Sequence, residues 1–106
     1  RSMRREMTFE SDVRNWQVIA RTMAELSKDV VKALRGDGYR GRTVTLKIRF
    51  SDFETHTRSI SLKELTDSEE MVRRTAFECL KKVELKKRVR LIGVRVSNLE
   101  KTGNRV

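Results

Sequence analysis

The stretch TVTLKIRFSDFETHTRSISL, residues 43–62, decides how this chain folds, because apolar and polar residues alternate on both sides of a short acidic segment. Every second residue over 44–50 is apolar, which is the period-2 pattern of a strand with one buried face. Thr and Ser recur at every second position over 55–61. The segment SDFE between them has turn-forming residues. The pattern predicts a β-hairpin with one apolar face and one face of Thr, Ser, Lys and Arg.

The segments that flank this hairpin predict two further strands and two helices. Apolar residues alternate with other residues over 2–9 and again over 89–99, so a strand is predicted near each end of the chain. Apolar residues recur every three or four positions over 16–34 and over 72–83, which predicts two amphipathic helices. The order β-α-β-β-α-β indicates an α+β fold: a four-stranded antiparallel sheet with two helices packed on one face, the split βαβ arrangement.

Short local signals predict where the helices begin and end. Asn15 is expected to be the N-cap of the first helix, and Gly36 the left-handed residue that ends it. Thr66 and Glu69 have the spacing of a capping box at the start of the second helix. Trp16 and the methionines are assigned to the core because they are large and apolar.

Length and charge narrow the classes of function. The 106 residues fit one domain, 1–106, with 101–106 as a flexible tail. The chain has 25 Lys and Arg against 15 Asp and Glu, a net charge of +10, which favours a polyanionic partner. No run of about 18 apolar residues is present, so no membrane partner is expected. The single cysteine fits a reducing cytoplasm.

No set of residues has the composition of a catalytic or metal site. His56 and Cys79 are the single histidine and cysteine, and one of each cannot form a zinc site. Cys79 falls on the apolar stripe of the second helix, which indicates a buried thiol. Asp52 and Glu54 lie in the predicted turn, and turn formation explains them better than metal binding. We therefore expect no catalytic residue and no metal ligand in this chain.

The placement of basic residues favours nucleic acid as the partner. Nine Lys and Arg but only two acids lie between residues 81 and 106. Alternation places Lys47, Arg49 and Arg95 on the polar face of the sheet, beside hydroxyls that can bind phosphates. The phenylalanines of the strands are predicted to face the core. The polar face therefore lacks the aromatic residues that a base-stacking RNA motif needs, and duplex is favoured over single strand.

Three segments together resemble a known family. RSMRREMTF, GRTVTLKIRFSDFETHTRSISL and VRLIGVRVSNL, in this order and at these spacings, are similar to the C-terminal little-finger domain of Y-family translesion DNA polymerases, of the DNA polymerase IV type. The likeness extends from residue 2 to about residue 100. Arg4 stands where the family more often has Gly, and the first helix is the least family-like part.

The resemblance implies a DNA-binding role within a longer enzyme. The little finger is tethered to palm, fingers and thumb domains, and it lies along the major groove of template–primer DNA during lesion bypass and DNA repair. The parent would be a DNA-directed DNA polymerase, a nucleotidyltransferase of the cytoplasm associated with the nucleoid. Its catalytic carboxylates and Mg²⁺ ions belong to the palm, so this chain is expected to bind DNA without any cofactor of its own.

A sliding clamp is a further partner that the resemblance suggests for the parent enzyme. The family's clamp-binding peptide usually follows this domain. The C-terminal segment EKTGNRV does not resemble such a peptide. We therefore expect the peptide to have been cut off or to be absent.

The DNA-binding residues are implied mostly by the resemblance. By match to the family motifs they are Ser2, Arg5, Thr8, Thr57, Arg58, Ser59, Arg90 and Arg95. Lys47 and Arg49 are added from alternation alone. Strict alternation places Arg5, Arg58 and Arg90 with the core residues. All three are near predicted strand ends, where a long side chain can reach round an edge, and there we follow the resemblance.

Two other functions fit the same pattern. The chain could be a ribosomal or RNA-binding protein of split βαβ fold, or a sensing or interaction domain whose charge serves solubility. A competition titration of primer–template DNA against duplex RNA separates the three. We expect preference for DNA; preference for structured RNA would indicate the ribosomal alternative. Binding to neither at physiological salt would indicate that the charge serves solubility.

Overall fold

The computed structural model describes residues 1–102 and contains two helices and five strands. In chain order they are β1 (Ser2–Val13), α1 (Trp16–Gly36), β2 (Tyr39–Phe50), β3 (Thr55–Thr66), α2 (Glu69–Leu80), β4 (Val89–Ser97) and β5 (Glu100–Lys101). The predicted α+β fold is confirmed. The first strand runs four residues beyond the predicted end at Phe9, and the two-residue β5 was not predicted.

The four long strands form one antiparallel sheet in the order β1-β4-β2-β3. β4 and β2 are therefore interior strands, whereas β1 and β3 are the edges. β5 pairs with the start of β2, where Lys101 lies opposite Tyr39. Part of the predicted tail thus belongs to a strand. Residues 103–106 lie outside the described part of the chain, so the tail beyond Thr102 stays a prediction.

The core lies between the sheet and the helices. Val44, Leu46 and Ile48 of β2 have no exposed surface. The two helices α1 and α2 cover these residues and also cover the apolar residues of β4. α1 packs mainly over β1 and β4, and α2 over β2 and β3. Each fully buried side chain of this size stabilises the fold by about 1.5–3 kcal/mol. Phe50 is buried and Phe9 packs against the core, as predicted.

The prediction for α1 is right at its N-terminal end and wrong at its C-terminal end. The side-chain oxygen of Asn15 accepts hydrogen bonds from the main-chain N–H groups of Gln17 and Val18 at 2.8 and 3.2 Å, so the N-cap is confirmed. The expectation for Gly36 is wrong, because Gly36 is the last helical residue and Gly38 has the positive φ, +72°. The helix continues through Gly36 and the chain reverses two residues later.

The predicted capping box of α2 is also wrong in its register. Ser68 is the N-cap, and its hydroxyl accepts a hydrogen bond from the Met71 N–H at 3.2 Å. The Thr66 hydroxyl instead accepts from the Ser68 N–H at 3.0 Å, while Glu69 is the first residue of the helix. β3 extends through Thr66, which leaves two residues for the connection and moves the cap to Ser68.

Not every large apolar residue belongs to the core. Met23 is buried, but Trp16 and Met7 are 43% exposed and Met71 is 39% exposed, so their core assignment is wrong. Met7 lies on an edge strand and Met71 on the first turn of α2. Trp16 starts α1 and meets the Phe77 ring edge-on, with the ring centroids 5.8 Å apart. A position at the margin of a layer leaves each of these side chains partly covered.

Gly41 lies where β2 packs closely against Val96 and Leu99. A Cβ atom at this position would lie 2.4 Å from Val96 Cγ1 and 2.7 Å from Leu99 Cδ2. We expect Gly41→Ala to lower the free energy of unfolding by about 1–3 kcal/mol through overpacking. Gly36→Ala is the control, because nothing lies within 4 Å of a Cβ there, and it should gain about 0.5–1 kcal/mol. Urea unfolding measures both; equal stabilities would contradict the packing at Gly41.

Candidate nucleic-acid interface

The side of the sheet that faces away from the helices carries four rows of side chains across the strands. In the order β1, β4, β2, β3, the rows are Ser2, Ser97, Thr43, Ser61; Arg4, Arg95, Thr45, Ser59; Glu6, Gly93, Lys47, Thr57; and Thr8, Leu91, Arg49, Thr55. We call these residues the open face. Within it lie four cations and one carboxylate but no aromatic ring. Such a surface offers phosphate-binding groups and no base-stacking platform.

Seven of the ten predicted DNA contacts lie together on this open face. They are Ser2, Thr8, Lys47, Arg49, Thr57, Ser59 and Arg95. The other three lie elsewhere, because Arg5 and Arg58 belong to a row on the helix side and Arg90 sits at an irregularity of β4.

Arg5 and Arg58 occupy the two ends of a single row, with Val94 and Leu46 between them. Each guanidinium donates a 2.8 Å hydrogen bond to the carbonyl oxygen of the residue before it. Both arginines therefore lie on the edge strands, about 14 Å apart at three strand spacings. Alternation correctly places both residues on the helix side of the sheet. Because they lie on edge strands, the Arg5 side chain is exposed and the Arg58 side chain is half-exposed. That they contact DNA stays a prediction.

Arg90 lies where the register of β4 against β2 shifts by one residue, between the pairs Arg49–Leu91 and Phe50–Val89. Its Nη2 is 3.4 Å from Asp12 Oδ2, and its guanidinium lies 4.5 Å from the Phe53 ring centroid. Its Nε is buried and has no hydrogen-bond partner among the described residues. The irregular pairing directs the Arg90 side chain toward Asp12 and Phe53. Alternation along the strand does not predict this direction.

Hydroxyl pairs join β2 and β3 on the open face. The Thr45 and Ser59 hydroxyl oxygens are 2.7 Å apart, and those of Thr43 and Ser61 are 3.0 Å apart. Two hydroxyls joined by one hydrogen bond retain a second O–H, unless another group uses it. The Thr45–Ser59 pair can therefore still donate to a bound anion. Arg49 is positioned in the same way, since its Nε donates to the Thr55 hydroxyl at 2.9 Å.

The cations of the open face differ in how far they are already paired. Lys47 Nζ donates to Glu6 Oε2 at 3.0 Å, and Arg4 Nε lies 3.9 Å from the same oxygen. Arg95 is exposed, and no ion pair or hydrogen bond holds its side chain within residues 1–102. Prediction from sequence omitted Arg4 and Glu6 as members of this surface. Arg4 and Glu6 lie between Ser2 and Thr8 at two-residue steps on the same strand. Residues at such steps share one face of a sheet, and this spacing is the signal that predicts their membership.

The acidic segment between β2 and β3 is a turn, as predicted, and Lys87 of the loop before β4 contacts it. Asp52 Oδ1 accepts a hydrogen bond from the Glu54 N–H at 3.0 Å. Lys87 Nζ lies 2.7 Å from Asp52 Oδ2 and 3.1 Å from Glu54 Oε1. The Lys87 hydrogen bond lowers the pKa of Asp52, whereas the His56 hydrogen bond, followed by that of Lys87, lowers the pKa of Glu54. Within residues 1–102 no three acidic, His or Cys side chains gather as metal ligands would.

Cys79 is a buried residue of α2, which confirms its assignment to the apolar stripe. Its thiol lies 3.9 Å from the carbonyl oxygen of Val44. Burial raises the pKa of this thiol. A protonated, covered thiol is a poor nucleophile.

The sequence pattern of the impB/mucB/samB family C-terminal domain matches residues 1–106. The chain belongs to this family. The domain is 48% identical over 100 residues to DNA polymerase IV of Methanoculleus marisnigri, a match that covers 94% of this chain and 28% of the relative. It is 38% identical over 94 residues to DNA polymerase IV of Streptomyces coelicolor, covering 89% of this chain and 20% of the relative. The chain thus spans less than a third of these relatives.

Solved structures confirm the fold of this C-terminal domain. The little finger domain of PolIV, solved in complex with the beta-clamp processivity factor, matches with a TM-score of 0.75 at 19% identity, over 100% of this chain and 96% of that chain. A DinB family error-prone DNA polymerase from Sulfolobus solfataricus matches with a TM-score of 0.79 at 16% identity, over 92% of this chain and 29% of that chain. The predicted resemblance to the C-terminal domain of Y-family DNA polymerases is confirmed. The helices of residues 1–102 include none with the length and apolarity to cross a membrane.

The turn contacts predict how the acidic groups titrate. Because Lys87 lowers the pKa of Asp52 and Glu54, we expect Lys87→Met to raise both pKa values, read from NMR titration of the carboxyl carbons. Because the acid pKa is lowered in the folded state, the ion pairs stabilise the fold at pH values above the unfolded-state pKa. This stabilisation is lost as the pH falls through the folded-state pKa. Lys86→Met is the control, since Lys86 pairs with Glu84. Unchanged Asp52 and Glu54 titrations in Lys87→Met would contradict the contacts.

Proposed function

We propose that this domain binds template–primer DNA for a translesion DNA polymerase and holds the phosphate backbones along the major groove. The open face is the observation that carries this proposal. It combines Arg4, Lys47, Arg49 and Arg95 with rows of hydroxyls on one rigid sheet. Cations and hydroxyls on regular elements position a protein on phosphates without reading sequence.

The dimensions of the sheet suit a duplex. Arg5 and Arg58 lie on opposite edges about 14 Å apart, which is close to the major-groove width of about 12 Å. The long axis of the domain is 49 Å, and one turn of DNA occupies about 34–36 Å. A sheet of this width can place Arg5 beside one of the two phosphate backbones that border the groove and Arg58 beside the other.

We extend the proposal to the parent enzyme on the basis of the family. The relatives are named DNA polymerase IV, so the longer chain is proposed to be a DNA-directed DNA polymerase acting in lesion bypass and DNA repair in the cytoplasm, at the nucleoid. Its Mg²⁺ ions would belong to a palm domain. Palm, fingers and thumb would be its neighbours within the chain. The neighbour solved with a beta-clamp makes a sliding clamp a further proposed partner.

Duplex DNA is a better proposal than RNA for this domain. The relatives are DNA polymerases, and they lend no support to a ribosomal protein. The open face also has no aromatic side chain in its four rows. Sequence-specific RNA recognition usually targets single strands and stacks their bases on such side chains.

Arg95 provides the sharpest test, because it is central on the open face and makes no ion pair within residues 1–102. We expect Arg95→Gln to weaken binding to primer–template DNA by about 3- to 10-fold at 0.1 M salt, equally for different sequences. The log–log salt slope should become shallower by about 0.9, the value for one lost phosphate contact. Fluorescence anisotropy titrations over a salt series measure both quantities.

Arg73→Gln is the matched control for Arg95→Gln. Arg73 is an exposed arginine of α2, on the opposite layer of the domain, and it lies 3.7 Å from Glu69. Both variants lose one positive charge, but only Arg95→Gln should change the slope. Equal losses in the two variants would show that net charge, not the open face, determines binding. A change of sequence preference in Arg95→Gln would contradict a phosphate contact.

A further inference from the structure

A depression of about 250 Å³ lies on the open face. Its walls include Arg4, Arg95 and Lys47 together with Thr45, Gly93 and Glu6. Three cations thus surround a space large enough for a phosphate group, and the carboxylate of Glu6 lies among them.

Glu6 reaches this position by crossing the sheet over Gly93. Glu6, Gly93 and Lys47 form one row across β1, β4 and β2. A Cβ atom at Gly93 would lie 3.1 Å from Glu6 Cγ, so the missing side chain leaves the path open. The carboxylate ends 3.0 Å from Lys47 Nζ and 3.9 Å from Arg4 Nε. It therefore stands where an anion would contact both cations.

The neighbouring row, which contains Arg4 and Arg95, adds positive charge to the depression that Glu6 does not neutralise. Arg4 and Arg95 lie directly opposite each other on β1 and β4. Like charges in directly opposite positions destabilise a sheet, and an anion between them removes the repulsion. One carboxylate cannot balance Arg4, Arg95 and Lys47. The depression keeps a net positive charge even with Glu6 in place.

We propose that Glu6 is an internal competitor of the DNA phosphate: it occupies an anion site formed by Lys47, Arg4 and Arg95, and a backbone phosphate displaces it. This inference rests on the proposed DNA-binding function and adds a residue that limits affinity. Lys47 must exchange one anionic partner for another when DNA binds. The net gain from the Lys47 contact is then smaller than for Arg95, which has no ionic partner to lose within residues 1–102.

The first test is Glu6→Gln, which keeps the size of the side chain and removes its charge. We expect primer–template DNA to bind the variant about 3- to 10-fold more tightly at 0.1 M salt, with a log–log salt slope steeper by up to about 0.9. Glu70→Gln is the matched control. Glu70 lies 2.7 Å from Arg74 on α2, so this change also removes one acid and releases one arginine, but on the helix layer. Equal tightening in both variants would overturn the proposal.

A double-mutant cycle separates competition from a general charge effect. Because Glu6 already neutralises Lys47, Lys47→Gln should cost less DNA affinity with Glu6 present than in the Glu6→Gln background. The expected difference is about threefold or more. An equal cost in the two backgrounds would overturn the role of Glu6. Circular dichroism and urea unfolding of each variant confirm that all of them are folded when compared.

The Glu6→Gln and Arg95→Gln titrations together distinguish failure of this inference from failure of the proposed function. If the wild-type domain binds DNA and Arg95→Gln weakens it, but Glu6→Gln does not tighten binding, only the role of Glu6 is wrong. If the wild-type domain and Glu6→Gln both leave DNA unbound at low salt, the proposed function itself is wrong.

Discussion

The alternation of side chains along β2 is the constraint on which the rest of the structure depends. Val44, Leu46 and Ile48 point to one side and are completely buried, while Thr45, Lys47 and Arg49 point to the other. β2 also supplies the hydrogen-bonding register for both β3 and β4. A slip of one residue would send its basic residues into the core and its apolar residues into water. Folding and the shape of the charged surface are therefore set by the same register.

This constraint explains how much could be predicted from the sequence. The period of two is a local property, so the strands, the buried side of the hairpin and the placement of Lys47, Arg49 and Arg95 followed from it. The recurrence of apolar residues every three or four positions is equally local, and it added the two helices to the order of elements. The resemblance to the family supplied Ser2 and Thr8, which lie on the open face as well. Residue types and spacing were enough to place Lys47, Arg49 and Arg95, whereas Ser2 and Thr8 needed the family.

The failures have physical reasons of a different kind. The bulge at Arg90 arises from pairing between strands distant in sequence, and the contact between Glu6 and Lys47 joins residues 41 positions apart. Neither leaves a local signal. The end of α1 and the start of α2 were predicted wrongly because Thr66, Gly36 and Ser68 all suit a helix end, and only the length of β3 and the position of the turn select among them. Burial of Trp16 depends on where the layers end, which periodicity alone does not specify.

The two edge arginines have a consequence for how the domain behaves in solution. A long strand edge without a neighbouring strand is a template on which another chain can add a strand. Within residues 1–102, β1 and β3 each have such an edge, and each strand is 12 residues long. The Arg5 and Arg58 guanidiniums each bond to a carbonyl oxygen of their own edge strand and place a charge beside it. Two sheets brought together edge to edge would meet arginine against arginine. Residues that suit a polyanion thus also protect a small sheet with two free edges from self-association.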